Sequence, residues 1–444
     1  MRPSRFLFLA LCAGMAASAP AQLLGGGGPV GGITGAVGGL TSGVLGGPSQ
    51  QGMPVVGGLQ GPLGGLGDTV RAIAPSDLLT LRHQRLLALV RDNRRTLDVD
   101  DQGNPVRRDE IIAIGATRDM LAKAQAAGFS VVRSDTIEGL GIATVQFAPP
   151  KGKSARKALK QLREIDPTGS YSLDPIYEPA RAPLAPMSGA SAGGGGSGGA
   201  VLGLIDGGVG RHPAFDGVAI DQRGFAGDPH PSGHGTAVAS LMVGRTAAFH
   251  GVMPGASLLV ADVYGGSPAN GSAMAIVRAM GWLAARGARV VNISLVGPPN
   301  PLLQAGVRAL QAKGVIVVAA VGNDGPAAPP QYPASYPGVV AVTGVDAKGK
   351  PLLEAGKPLH LDFAAPGADI AGAVPGGGWE RLRGTSFAAP FVAASLASLA
   401  RLDRGATGAT VAALAAEARP AKGAVGRGIV CGDCGIGPKA VGIK

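Results

Sequence analysis

Ala200-Val-Leu-Gly-Leu-Ile205-Asp206-Gly207-Gly208 is an unbroken run of apolar and small residues that ends on a carboxylate and two glycines. The run shows no polar alternation. A strand built from it must be buried on both faces, which is the habit of a parallel sheet covered on both sides. A carboxylate at the end of such a strand is costly without a partner, and the small glycines let another chain approach it. Further apolar runs follow at Leu258–Val263, Arg289–Leu295, Val315–Val321 and Val339–Val345. Helical spacing occupies His234–Val243, Ser272–Arg286, Pro301–Lys313, Ser386–Arg401 and Ala409–Ala418. Strands alternating with helices predict an α/β fold: a doubly wound, mostly parallel sheet with helices on both faces. Chemistry in such folds sits beyond the carboxyl ends of strands or at helix starts.

Three more segments fall at such places. Gly233-His234-Gly-Thr-Ala-Val-Ala239 sets a histidine in the first turn of a helix, between glycines. Val317-Val-Ala-Ala-Val-Gly322-Asn323-Asp-Gly325 carries a side-chain amide just past a buried strand. Gly384-Thr385-Ser386-Phe-Ala-Ala-Pro390 starts an apolar helix with a serine whose free N–H and helix dipole favour negative charge. Pro390 is expected to be tolerated because it lies in the first turns. Taken singly, these residues would be a turn-capping Asp, a capping His, a turn Asn and an N-cap Ser. Taken together, they supply a nucleophile, a base, an orienting acid and an oxyanion donor.

In chain order Asp, His, Asn, Ser, with intact H-G-T-x-V-A and G-T-S-x-A-A-P motifs, residues 200–418 resemble the subtilisin-like serine proteases, or subtilases, of the secreted bacterial type. Asn292-Ile-Ser294-Leu295 and Phe363-Ala-Ala-Pro-Gly367 match further family segments. The resemblance implies that Asp206, His234 and Ser386 form a catalytic triad and that Asn323 helps to hold the oxyanion. It also implies that Ser294, Leu295, Val296 and Gly322 bind substrate, a protein or peptide. Some positions depart from the pattern. Gly207 replaces a Ser or Thr, which predicts a lost or water-filled hydrogen bond to Asp206. Ala237 and Phe391 stand where histidines are common. Val296 replaces a Gly, which puts the pocket's shape in question. Arg245–Pro254 lacks the Asn-rich calcium loop, and the region holds only three Glu, so neither a metal nor another cofactor is expected. His212, His230 and His250 read as structural. A non-catalytic binding protein on the same fold is disfavoured because all four chemical positions are intact.

The resemblance gives the outlying segments a meaning. Arg2 and Arg5, the apolar Phe6–Ala17 and Ala19-Pro20-Ala21 form an export signal cut after Ala21 (1–21), which predicts a secreted or periplasmic enzyme. No later apolar run approaches the ~20 residues of a membrane span. Residues 22–75 form a Gly-rich spacer. Residues 76–178 read as a small α+β unit: a helix at Asp77–Arg95, strands at Glu110–Ala116, Phe129–Arg133, Gly141–Phe147 and Tyr171–Ile176, and helices at Arg118–Ala127 and Ser154–Glu164. Its size and place suit the family's prodomain, a folding aid and cleft blocker that becomes a partner of its own enzyme. A permanently attached binding domain is the alternative. Residues 179–199 form a Gly/Pro/Ser linker in which self-cleavage is expected, between Tyr177 and Gly199. The linker's Gly189-Ala-Ser191-Ala-Gly193 imitates a nucleophile elbow without the strand and helix that motif needs.

The catalytic region is bounded at 200–420, and 421–444 is a tail holding Cys431-Gly-Asp-Cys434. Export favours a disulfide there, with free thiols as the alternative; a zinc site would need about four ligands. The net charge of +11 comes from basic residues spread along the chain, and no nucleic-acid module is present, so nucleic acid is not an expected partner. A monomer is expected. Gly344-Val-Asp-Ala-Lys-Gly349-Lys350 imitates a phosphate loop but ends in Pro351 and precedes no helix.

Overall fold

Two sheets organise the computed structural model, which describes residues 75–180, 202–402 and 407–443. The segments read from the sequence as an export signal, a spacer and, from 181, a linker with its elbow-like motif lie outside the described residues.

Helix α1 (Pro75–Asp92) comes first. Strands β1 (Leu97–Val99) and β2 (Pro105–Ile114) pair antiparallel. Helix α2 (Arg118–Ala126) starts where the Thr117 hydroxyl accepts the Met120 N–H at 3.2 Å, and stops before Gly128, whose φ of +88° is left-handed. Strands β3 (Ser130–Ile137) and β4 (Ile142–Ala148), helix α3 (Ala155–Ile165) and strand β5 (Ser170–Pro175) complete a five-stranded antiparallel sheet. Ala158, Leu159 and Leu162 put the apolar stripe of α3 into a core with Ile111, Phe129 and Phe147. The chain then leaves this sheet as a two-residue strand, β6 (Glu178–Pro179). Pro179 and Ala180, which composition places in the linker, are therefore structured.

The second sheet has seven parallel strands. In chain order its elements are β7 (Leu202–Asp206), β8 (Ile220–Gly224), helix α4 (Gly233–Val243), β9 (Leu258–Asp262), helix α5 (Ala273–Ala285) and β10 (Val290–Ile293). Then come the short β11 (Leu295–Val296) outside the sheet, helix α6 (Pro301–Ala312), β12 (Ile316–Ala320), β13 (Val340–Val345) and β14 (Phe363–Pro366). The hairpin β15 (Ala368–Ala373) and β16 (Trp379–Arg383) precedes helices α7 (Thr385–Leu402) and α8 (Thr407–Glu417). The sheet order is β14-β13-β12-β10-β7-β9-β8.

Leu202 and Leu204 of β7 face one core with α4 and α7; Ile205 faces the other with α5 and α6. The doubly wound α/β fold read from the sequence is thus the fold observed. From β7 the chain goes to the edge strand β8, returns to β9 beside β7, and then crosses to β10 on the other side and runs outward to β14, so the carboxyl end of β7 lies at a topological switch point, where ligands bind in open α/β sheets. Asp206 is its last residue.

The tail is part of this architecture. Ala364 of β14 donates to Gly428 at 3.0 Å and accepts from Val430 at 2.7 Å, and Cys431 and Cys434 are joined by a disulfide. The imitation phosphate loop is a tight turn around Asp346, whose carboxylate accepts the N–H groups of Lys348 and Lys350.

Candidate active site

Asp206 is fully buried, and both its oxygens meet His234 Nδ1, at 2.8 and 2.9 Å. The contact depends on how α4 begins. The Ser232 hydroxyl caps the helix by accepting the Gly235 N–H at 2.8 Å, which sets His234 in the first turn facing β7. A Cβ at Gly207 would lie 2.5 Å from that hydroxyl, so glycine leaves room for the cap. The Gly207 N–H donates to Asp206 Oδ1 at 2.7 Å. His234 Nε2, the other ring nitrogen, is buried and makes no hydrogen bond.

Ser386 is the second residue of α7 and its Oγ donates to the carbonyl oxygen of Ala180 at 3.1 Å. Asn323 Nδ2 donates to the same oxygen. The amide is aimed there because its Oδ1 accepts the Thr385 N–H at 2.9 Å, while Thr385 Oγ1 accepts the Gly322 N–H at 3.2 Å. Gly384 is required, since a Cβ there would lie 2.8 Å from Asn323 Nδ2. Pro390 is not in an exempt position, contrary to the sequence expectation. As the sixth residue of α7 it should have supplied an N–H to the Ser386 carbonyl. Ser294 Oγ donates to that carbonyl instead, at 2.8 Å, and itself accepts from Asn292 Nδ2 at 2.9 Å.

The cleft is filled by the chain's own residues 177–180. β6 pairs antiparallel with β11, Leu295 opposite Pro179 and Val296 opposite Glu178, and the Ala180 N–H donates to the Ser294 carbonyl at 2.9 Å. Ser294, Leu295 and Val296 thus meet this segment mainly through backbone, with the Leu295 side chain turned into the core. Tyr177 is wholly buried, its hydroxyl donating to the Pro298 carbonyl at 2.6 Å. Its backbone is held by the Gly271 carbonyl at 2.7 Å and the Tyr264 hydroxyl at 2.9 Å. A Cβ at Gly297 would lie 2.5 Å from the Tyr177 ring, so that glycine shapes the pocket. Val296 packs in one buried cluster with Ala180 and leans towards Gly322, where a Cβ would be 3.5 Å away.

Asp262, beside Asp206 in the sheet, has its pKa raised by burial, an effect offset by the N–H groups of His230, Tyr264 and Gly265. His212 Nδ1 accepts the Ala214 N–H at 3.0 Å and its Nε2 meets the Gly378 carbonyl at 2.8 Å; burial lowers its pKa, so it is a neutral turn cap. His230 and His250 lie exposed in loops. Ala237 of α4 and Phe391 of α7 are buried in one core cluster. Ala180, Tyr177 and Gly384 complete the site and were not singled out from the sequence. Only Gly384 had a signal, as the first residue of the serine motif.

A profile of the subtilase family matches residues 197–437. Subtilisin Savinase of Lederbergia lenta is 34% identical over 204 residues, covering 45% of this chain and 75% of that protein. The alkaline protease of Alkalihalobacillus alcalophilus is 33% identical over 204 residues, and the match spans 53% of its length. Among solved structures, fervidolysin of Fervidobacterium pennivorans, a keratinolytic enzyme related to subtilisin, superposes with a TM-score of 0.62, covering 76% of this chain and 62% of that one. At 20% identity that likeness is one of fold.

Proposed function

The chain belongs to the subtilase family of serine endopeptidases, and from that premise we propose that Ser386, His234, Asp206 and Asn323 hydrolyse peptide bonds and that the first bond cut is Ala180–Arg181. The observation that carries this reading is the Ala180 carbonyl oxygen, held at once by Ser386 Oγ and Asn323 Nδ2. A substrate carbonyl would be bound in that place. Ser386 Oγ attacks the carbonyl carbon and its proton passes to His234 Nε2, the buried nitrogen without a partner. The imidazolium so formed is stabilised by Asp206 at Nδ1. The developing oxyanion takes hydrogen bonds from Asn323 Nδ2 and the Ser386 N–H at the start of α7. His234 then protonates the leaving amine, and water releases the acyl group by the same steps in reverse.

On this reading residues 76–180 are a prodomain whose C-terminal strand stays in the cleft as a product. The first 21 residues direct export, so the enzyme acts outside the cytoplasm. Among the described residues no helix is long and apolar enough to cross a membrane. Intact-mass measurement of the full chain and its Ser386→Ala variant tests the reading. The wild type is expected to yield a fragment beginning at Arg181, and the variant to stay joined at that bond. Equal processing of both would exclude self-cleavage.

A further inference from the structure

Asp324 follows the oxyanion residue Asn323 and stands on the rim of the cleft, buried beneath α1. Two arginines one helical turn apart reach it. Arg82 Nε lies 3.1 Å from Oδ2 and Arg85 Nη2 lies 3.0 Å from Oδ1. Arg85 Nε also donates to both carboxylate oxygens of Glu178, at 3.4 and 3.3 Å. Glu178 is the third residue before the proposed cut, counting Ala180 as the first. One guanidinium therefore spans two carboxylates, one belonging to the cleft and one to the peptide lying in it. Without the arginine these would be two like charges facing each other. Burial pushes the Glu178 pKa up, Arg85 pulls it back, and Asp324 adds to the push.

We infer that Asp324 is a specificity-determining residue that selects a cationic side chain at the third position before the cut. The inference rests on the proteolytic reading above. The N-terminal unit meets the demand of Asp324 from outside the bound strand, through α1, and so can carry Glu178 at that position. A substrate arriving after α1 has left brings no such helix. Its third side chain occupies the place of Glu178, one guanidinium's width from Asp324. A lysine or arginine there forms the ion pair that Arg85 forms now. A glutamate there is repelled, because nothing bridges the two carboxylates. The strand pairing with β11 fixes the register, so the charge is read at this position and not at its neighbours.

The test uses the enzyme obtained from the full chain after processing. Peptides of sequence Tyr-Lys-Pro-Ala, Tyr-Ala-Pro-Ala and Tyr-Glu-Pro-Ala, each with a fluorogenic amide leaving group, are compared by kcat/KM. The expected order is Lys, Ala, Glu, with about tenfold between the first and last at low ionic strength. That ratio should shrink in 1 M salt, where the screening length falls to about 3 Å. Asp324→Asn is expected to bring the ratio below about twofold, and Asp324→Glu, which keeps the charge, to retain the order. Equal rates on the three peptides, or an unchanged ratio in Asp324→Asn, would overturn the inference. Failure to cut any peptide, with no fluorophosphonate label on Ser386, would instead overturn the proteolytic reading beneath it.

Discussion

Ser294 joins the helix that carries Ser386 to strand β6 with two different groups. Its hydroxyl replaces the N–H that Pro390 cannot give to the Ser386 carbonyl, and its carbonyl accepts the Ala180 N–H. The serine helix and the strand-binding edge are thereby held to one frame, which matters where a small misplacement of reacting groups costs rate. Its neighbour Val296 sets size. The valine packs in the cluster that holds Ala180, beside Gly322, so the space for the residue before the cut is narrow. Val296→Gly should open it. The expected outcome is a rise of about tenfold in kcat/KM for Phe relative to Ala at that position, measured on matched peptides. An unchanged ratio would show that another wall limits the pocket.

Among the elements, α1 has the least predictable role. Its sequence reads as an ordinary amphipathic helix, yet Arg82 and Arg85 form ion pairs at the cleft, the second with a residue 239 positions away. Both carboxylates that they meet are largely buried, so loss of the arginines leaves like charges facing each other in poor solvent. Arg82→Ala/Arg85→Ala should weaken the hold of the cut N-terminal unit by on the order of 2 kcal/mol, roughly thirtyfold in its dissociation constant. The measurement is the lag between self-cleavage and the appearance of peptidase activity. The lag is expected to shorten while the cut itself still occurs.

Across the whole molecule, the contact between the two sheets carries a titrating group. Asp174, at the end of β5, is buried and accepts the Met274 N–H at 3.0 Å at the start of α5. Burial pushes its pKa up to about 7, with Glu110 adding to the push and the Met274 N–H, Ser272 and Arg107 opposing it. Arg278 of α5 also faces this group. Glu110 is itself raised by burial, against the pull of Arg107 and Arg278. A carboxyl whose pKa is higher in the docked state than in water binds a proton more tightly when docked. Below pH ~4 both states are protonated and docking is strongest. Between about 4 and 7 the separated form ionises first, so docking weakens as pH rises; above that window the penalty is constant. The dissociation constant of the cut N-terminal unit should rise by up to about tenfold per pH unit across the window, read as inhibition in trans. Asp174→Asn should flatten the profile.

The sequence by itself determined the fold class and the four chemical segments, because both are written in short-range order. Short unalternating apolar runs separated by helical stretches mark the strands of a sheet covered on both faces, and Asp206, His234, Asn323 and Ser386 each sit inside a contiguous motif at a strand end or helix start. Boundaries were harder: β2 begins at Pro105, before the apolar run that marks it, and β1, β6 and β11 are too short to show any period. Only the tertiary structure decided what fills the cleft. That Ala180 lies between Ser386 and Asn323, that Ser294 makes good the gap at Pro390, and that Gly428–Val430 extends the sheet at β14 are pairings between segments far apart in the chain. The same holds for Arg82 and Arg85 on Asp324. Each partner taken alone is an unremarked alanine, serine, glycine or surface charge. Its meaning comes from burial and from the group set opposite it, and a local pattern of residues records neither.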